Sequence, residues 1–495
     1  MWKNILTIFC YFCKTLYNKT MKRKIHFINI GCKVNFAETS RLKKMFAMLD
    51  YEITSSPQKT VGDISDSATN TDIQIILLNT CTVTNHSDAT SRQIIRKMRK
   101  NNPDAFIGVF GCYAQLKPSE ILDTTGANAV FGINEKFQIP YIIDELIAGN
   151  NHMVNRHSAL DAESHNTSDD AMTETVRANN YSPLQIKQNF VSKIDNSKFD
   201  FAFSSDADSR TRAFMKLQDG CDYCCSYCVV PLARGNSRSI DFQNILPQII
   251  ELEKSGYKEI VISGINLSDY KSASGENFIS LIKFISRLDF AIRFRISSIE
   301  PQVITEELVN LIAKSPNICP HFHIPLQSGS DAILRLMKRR YNTTQFRKTI
   351  ELINNFLPNA FIGLDLISGF PSETEENFLE TKNFVNSLKI SALHCFTFSK
   401  RAGTLAAQMK NQIPKTVKKI RTNEMLQISK EKHKIFLANN IGNILTFLPE
   451  KYFPEDGISI GHTENYITVK IETNKKLSNN FYKIKMVSAE RGEIV

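Results

Sequence analysis

From residue 24 to 150, short apolar runs alternate with longer stretches whose apolar residues recur every three to four positions. Runs at 25–30, 73–78, 106–110 and 129–131 predict strands, and the patterns at 37–49 and 89–100 predict helices. This alternation is that of a small parallel α/β domain. Residues 151–209 lose both periods; Ser, Asn and Asp dominate, and the stretch reads as a flexible linker or insertion. Alternation then returns, with six strands at 214–217, 259–262, 293–296, 321–325, 361–367 and 392–398 separated by helical patterns such as 245–255, 278–287, 305–314, 331–337, 344–355 and 375–388. Six β/α units are fewer than the eight that close a full barrel, so a partial (β/α)6 barrel is predicted, open on one side to a large substrate. After a charged helix at 415–437, short segments at 444–448, 458–462, 466–471 and 482–487 predict a small antiparallel, OB-like β-barrel. The fold class is α/β, divided into 21–150, the linker 151–209, a core at 210–437 and a terminal barrel at 438–495. Residues 1–20 read as a leader or a mis-assigned start, with Met21 the true beginning.

Composition sharpens this picture at two points. A chain of 495 residues with 42% hydrophobic and 22% charged content is long enough for two or three domains with real cores. The net charge of +11 is concentrated at the ends: residues 1–24 carry six Lys or Arg and no acid, and residues 410–495 carry fifteen basic and nine acidic side chains. A basic terminal module is the footprint of a polyanion reader, with a merely soluble basic domain as the alternative. No segment reaches the length of a membrane span, and the apolar run at 5–13 has no cleavage site behind it. The protein is expected to be cytoplasmic, and its eleven cysteines to be reduced and available for metal rather than paired.

Cys221, Cys225 and Cys228 stand in LQDGCDYCCSYCVVP with C-x3-C-x2-C spacing. Three thiolates this close can hold three irons of a 4Fe-4S cube and leave the fourth iron open, where an electron-transfer cluster takes four cysteines. The spacing resembles that of the radical SAM family, in which S-adenosylmethionine occupies the open iron. A zinc knuckle is the competing reading, but its C-x2-C pairs come with a second pair that is missing here. Cys224 reads as a neighbour of the motif rather than a ligand. Three further cysteines, Cys32, Cys81 and Cys112, each follow a predicted strand of the first domain. In an open parallel sheet the carboxyl ends converge on one edge, so three thiols distant in sequence can meet and hold a second open cube. Small core cysteines without function are the alternative.

The segments GCKVNFAETSRL, NTCTVTNHSDATSRQIIRKMRK, FGCYAQLKP, LQDGCDYCCSYCVVPLARGNSRS, HIPLQSGSDAILRLMKRRY and GLDLISGFPSETEENF, with HTENYITV near the end, resemble those of the MiaB superfamily of methylthiotransferases. Within it, the Gly-Cys-Lys-Val-Asn form of the first motif is similar to the MtaB-type threonylcarbamoyladenosine tRNA methylthiotransferases. The resemblance spans 24–150 and 210–495. It implies a radical SAM core, a terminal TRAM module, two 4Fe-4S clusters on the two cysteine trios, and transfer of a methylthio group to C2 of an N6-modified adenine beside the anticodon. One S-adenosylmethionine would methylate sulfur carried by the Cys32/Cys81/Cys112 cluster, and a second would be cleaved at the Cys221/Cys225/Cys228 cluster to a 5'-deoxyadenosyl radical.

The resemblance also implies S-adenosylmethionine contacts at Gly264, Ser298, Glu300, Gly363 and Gly369, although glycine and serine at strand ends are also ordinary turn chemistry. Arg339 and Arg340 are candidates for phosphate or the cofactor carboxylate, or for a solvated helix end. The anticodon stem-loop of tRNA is the expected partner, read by the terminal barrel with Phe447, Tyr452, Phe453 and Tyr466 as stacking or packing residues, and with Phe447 preferred as core. Arg92, Arg96, Lys97 and Lys100 extend an RNA track or form a plain solvated face. A reductant such as flavodoxin or ferredoxin and a sulfur donor complete the partners. Two other readings stay open: a methylthiotransferase acting on another adenosine or a ribosomal protein, and a metal-stabilised RNA-binding protein without catalysis.

Overall fold

The computed structural model describes residues 22–55, 73–148, 187–204 and 211–495. The leader at 1–20, the start at Met21 and most of 151–209 lie outside the described residues. Strands β1 (Lys24–Asn29), β2 (Glu52–Ser55), β3 (Ile75–Thr80), β4 (Phe106–Gly111), β5 (Ala129–Phe131) and β6 (Gln188–Phe190) form one parallel sheet in the order β2-β1-β3-β4-β5-β6. β3 and β4 are buried at every position, as expected of central parallel strands covered on both faces. The sixth strand comes from the end of the stretch read as linker. It pairs with β5, and Phe190 stacks on Phe131 with ring centroids 5.2 Å apart. Three residues, two of them polar, carry too little periodicity to be recognised before this pairing is seen.

The same stretch supplies β7 (Ala202–Phe203), which pairs antiparallel with β8 (Arg212–Lys216) and covers the edge of the second domain. A short ribbon of β9 (Gln218–Asp219) and β10 (Arg238–Ser239) brackets the Cys221 loop. The remaining core strands are β11 (Glu259–Ser263), β12 (Arg293–Ile296), β13 (His321–Gln327), β14 (Phe361–Ser368) and β15 (Ala392–Thr397). β8, β11 and β12 pair in parallel, as do β13, β14 and β15, and a bridge between Ser298 and His323 joins the two groups into the six-stranded partial barrel. Ala213, Met215, Ile260, Ile262, Phe294, Ile324 and Leu364 point into the core under the helices. The period of two then turns Arg212, Lys216, Glu259, Arg295, His321, His323, Asp365 and His394 toward the interior. A closed barrel fills this space with branched apolar side chains. Here it is charged, and so suited to polar ligands.

The Lys33–Met48 helix of the first domain packs on β7 and β8, with Phe36 edge-on to Phe214 at 5.5 Å. The last domain is a five-stranded antiparallel sheet of β16 (Ile444–Phe453), β17 (Ile458–Thr463), β18 (Thr468–Glu472), β19 (Tyr482–Met486) and β20 (Gly492–Ile494), ordered β18-β17-β16-β19-β20. A bridge from Lys470 to Arg491 brings its edges together around Phe447, Val469 and Ile484. This domain closes the amino-terminal end of the barrel. Buried Glu259 holds Arg293 and Arg295, whose remaining nitrogens donate to the carbonyls of Thr446, His462, Thr463 and Glu464 at 2.9–3.1 Å. No helix among the described residues is long and apolar enough to cross a membrane.

Candidate active site between two cysteine trios

Cys32, Cys81 and Cys112 follow the carboxyl ends of β1, β3 and β4, which are neighbours in the sheet. The parallel topology thus gathers them at one edge. Burial pushes the Cys81 thiol up to about 12, and Cys112 and Cys32 add to the shift, so the three sulfurs lie within electrostatic reach of one another. Gly111, immediately before Cys112, has φ +98°, and a Cβ there would collide with Asn79 and Thr80 at the end of the adjacent strand β3.

Cys221, Cys225 and Cys228 converge in the loop after β9. Burial pushes Cys228 up to about 12, with Cys225 and Cys221 next among the raising charges, and pushes Cys221 up to about 11. The Tyr223 amide donates to Cys221 Sγ at 3.4 Å and Arg339 Nη1 to Cys225 Sγ at 3.1 Å. Cys224 is exposed. Among the described residues no three His, Cys, Asp or Glu side chains are placed to hold a single metal ion. One zinc would draw its sulfurs to within about 4 Å of each other, since each lies about 2.3 Å from the metal. A four-iron cube meets each thiolate through a separate iron. Among the described residues each trio offers three thiols with a cationic donor beside them, from Arg234 to Cys112 and from Arg339 to Cys225, which fits a cube with one open iron.

Arg234 links the first trio to the loop of the second and is among the residues that sequence reasoning missed. Its Nε donates to Cys112 Sγ at 3.1 Å; Nη1 meets Glu38 at 3.1 Å and Asp219 at 3.0 Å; Nη2 donates to Asn35 at 2.8 Å. Asp219 lies two residues before Cys221, so one guanidinium ties the first trio to the root of the second loop. Lys136 and Lys216 reach Glu38 at 2.6 and 3.0 Å. Burial alone would raise the Glu38 carboxyl, but Arg234, Lys136 and Lys216 hold it far below the usual carboxylate range. The only sequence signal for Arg234 was its place in VVPLARGNSRS, six residues past Cys228. A second clamp lies on the opposite flank, where Arg401 meets Asp88 at 2.8 Å and Asn85 at 2.7 Å, behind the Cys81 loop.

A cavity of about 270 Å³ opens between the domains, with Val83 and Thr84 on one side and Cys228, Tyr227, Gln327 and Asp365 on the other. A larger hollow of about 760 Å³, near Asp222, Arg238 and Lys271, contains no cysteine in its lining. The smaller one is lined by residues of both domains, Cys228 among them.

The other expected cofactor contacts are distributed unevenly. Gly264 ends β11 against Gln218, whose Oε1 accepts from the Asn266 amide at 2.8 Å, close to Cys221. Ser298 forms the β12–β13 bridge, and buried Glu300 is ion-paired with Arg339. Gly363 sits inside β14 beside Phe361 and His394, deeper than the strand end. Gly369 ends that strand, but its amide donates to Glu373 at 2.9 Å and its open side faces Lys418. Arg340 lies over the Tyr223 ring at 3.9 Å.

Of the expected RNA contacts, Phe447 is core and fully buried. Tyr466 packs on His321 and His462, both at 4.9 Å, and on Arg295 at 4.8 Å, so it plugs the barrel floor rather than offering a free stacking face. Tyr452 and Phe453 remain half-buried. Arg92 is held by Tyr113 and Glu120 at 2.8 and 2.6 Å, and Arg96 donates to the Thr124 carbonyl at 2.9 Å. Both therefore brace their own domain.

Residues 24–132 match uncharacterized protein family UPF0004, and residues 215–385 match the radical SAM superfamily. The threonylcarbamoyladenosine tRNA methylthiotransferase MtaB of Bacillus subtilis (strain 168) is 33% identical over 470 residues, covering 94% of each chain. A tRNA-2-methylthio-N(6)-dimethylallyladenosine synthase of Dictyoglomus thermophilum is 29% identical over 95% of this chain and 98% of its own. Among solved structures, the radical S-adenosylmethionine methyltransferase TsrM of Kitasatospora setae covers 76% of this chain and 73% of its own at 14% identity and a TM-score of 0.49, a likeness too slight to argue from. With a parallel domain and a partial barrel each presenting three cysteines, and a one-third-identical relative aligned almost end to end, this chain belongs to the radical SAM tRNA methylthiotransferase family of the MtaB and MiaB type.

Proposed function

We propose that this enzyme adds a methylthio group to C2 of N6-threonylcarbamoyladenosine next to the tRNA anticodon, consuming two S-adenosylmethionine molecules per product. Cys221, Cys225 and Cys228 would hold one 4Fe-4S cluster, and Cys32, Cys81 and Cys112 a second. When bound, these clusters and S-adenosylmethionine supply the one-electron chemistry and the sulfur that an unactivated aromatic C–H bond requires. The chain's own part is positional. Arg234, bonded to both Cys112 of the first trio and Asp219 at the root of the second trio's loop, ties the two together, and this is the observation that carries the reading. Gly264, Ser298 and Glu300 lie at the carboxyl ends of β11 and β12, where S-adenosylmethionine would be held; Gly363 and Gly369 are assigned to its adenine more loosely.

The basic terminal barrel, with Tyr452 and Phe453, would grip the anticodon stem-loop in the cytoplasm, and the electron and sulfur donors would be separate proteins or small molecules. The substrate named for the Bacillus subtilis relative supports threonylcarbamoyladenosine over dimethylallyladenosine. Mass spectrometry of tRNA nucleosides from a deletion strain tests this: threonylcarbamoyladenosine is expected without its methylthio group. Retention of that group, with loss from another adenosine, would reassign the substrate.

A further inference from the structure

The chain from Ser399 to Ala406, just after β15, touches the loops of both cysteine trios. On one side, the Asn85 amide donates to Ser399 Oγ at 2.9 Å. The Arg401 guanidinium donates to Asn85 Oδ1 at 2.7 Å, to Asp88 Oδ2 at 2.8 Å and to Thr82 Oγ1. Thr82 is the residue after Cys81, and its hydroxyl donates in turn to Asp88 Oδ1 at 2.7 Å. On the other side, the Ala406 amide donates to the Ser226 carbonyl at 2.7 Å, inside the Cys221 loop. Gly403, at φ +83°, packs so closely on Leu232 that an added Cβ would lie 2.9 Å from its Cδ1, and Leu232 follows shortly after Cys228. The Thr404 amide and hydroxyl both return to the Arg401 carbonyl, at 3.2 and 2.8 Å, which closes the chain between the two contacts into one turn.

This bridge complements Arg234. Arg234 donates to Cys112 and to Asn35, whose Oδ1 lies 3.3 Å from Cys32 Sγ, but among the described residues it makes no hydrogen bond to Cys81. The Cys81 loop is held instead by Arg401, through Thr82 and Asp88. Ser399 and Phe398 line the same cavity as Val83, Thr84 and Cys228, so the turn borders the gap that it spans. The Arg401 and Asp88 side chains are only 4% and 3% exposed. A pair so buried is a weak source of stability, because desolvation offsets most of its attraction, whereas its several directed bonds fix an orientation. We infer that this turn, through Arg401, is a positioning device: it sets the separation between the Cys81 and Cys228 loops and so couples S-adenosylmethionine cleavage at the second trio to methylthio transfer from the first. The inference rests on the two-cluster reading above. Transfer between groups held at separate sites is sensitive to a misplacement of about 1 Å, so a loosened loop costs product before it costs cleavage.

The test uses the full-length protein and two readouts. Hydrogen exchange followed by mass spectrometry should show the amides of residues 82–88 exchanging at least about tenfold faster in Arg401→Met than in wild type, with those of 221–228 unchanged. Because Arg401→Met strands the buried Asp88 carboxylate, the double variant Arg401→Met with Asp88→Asn removes both charges and should show the same acceleration at a urea midpoint closer to wild type. After anaerobic reconstitution, with stem-loop RNA and S-adenosylmethionine, the amount of 5'-deoxyadenosine formed per methylthio nucleoside should rise about tenfold in both variants, while total 5'-deoxyadenosine stays near wild type. Arg401→Lys should fall between, since an ammonium keeps the charge for Asp88 but cannot reach Asn85 and Thr82 together. An unchanged ratio overturns the positioning role even where exchange is faster, because a merely stabilising clamp lowers both products together. Exchange at 82–88 equal to wild type overturns it too, since the loop would then be held by its own domain. A wild-type protein that binds about four irons instead of about eight overturns the two-cluster reading and the coupling with it, whereas about eight irons with an unchanged ratio overturns the coupling alone.

Discussion

Arg234 uses every guanidinium nitrogen on partners drawn from distant parts of the chain: Cys112, Glu38, Asn35 and Asp219. Taking so many charges out of water is tolerable only while each remains paired. Arg234→Met should therefore destabilise the protein by about 3 kcal/mol or more, because Asp219 and Glu38 lose a shared partner in a dry site. Arg234→Lys should recover less than half of this, since an ammonium cannot present a planar fork to four acceptors. Urea denaturation at pH 7 measures both, and an Arg234→Met midpoint equal to wild type would contradict the account. At this scale Cys221, Cys225 and Cys228 were legible because their spacing is a local property, and Cys32, Cys81 and Cys112 because each follows a predicted strand. Arg234, Glu38, Lys136 and Lys216 were not, because each is an ordinary charged residue until the fold buries it among the others.

Elements matter here through where they end. The first trio exists because β1, β3 and β4 are adjacent and parallel, and because Gly111 allows the Cys112 turn to press against Asn79 and Thr80. Gly111→Ala adds a side chain where φ is +98° and space is lacking. The expected result is that iron bound after anaerobic reconstitution falls from about eight to about four per chain, with the second trio still loaded. Undiminished iron would mean that the turn can yield. The long strands and helices were legible, most within a few residues, since each carries several apolar positions at its own period. β2, β6 and β7 were missed because two to four residues cannot display a period, and the Gln188–Phe190 strand is defined only by its partner β5.

Across the whole molecule, buried charge clusters join the domains. Glu38 and Arg234 couple the first domain to the barrel, and Glu259 with Arg293 and Arg295 couples the barrel to the terminal domain. Burial would raise Glu259, but Arg295 and Arg293 hold it well below its ordinary value of 4.5. A depressed carboxylate contributes its full stability above the unfolded value and loses it as pH falls toward the folded one. Glu259→Gln should therefore lower the urea midpoint by a constant amount between about pH 6 and 8, and the gap to wild type should shrink only below the ordinary value of 4.5. A gap that closed already at pH 6 would show that the carboxylate is not held down.

The sequence by itself determined the long strands and helices, the partial barrel and the family, and it pointed to the two cysteine trios, because periodicity and the Cys221 spacing are written over short distances and the first trio's motifs each follow a strand. Only the tertiary structure decided which charges became the couplings between domains, and that Arg92, Arg96 and Tyr466 brace the fold. Those roles depend on burial and on neighbours brought together by the fold, and a linear pattern carries neither.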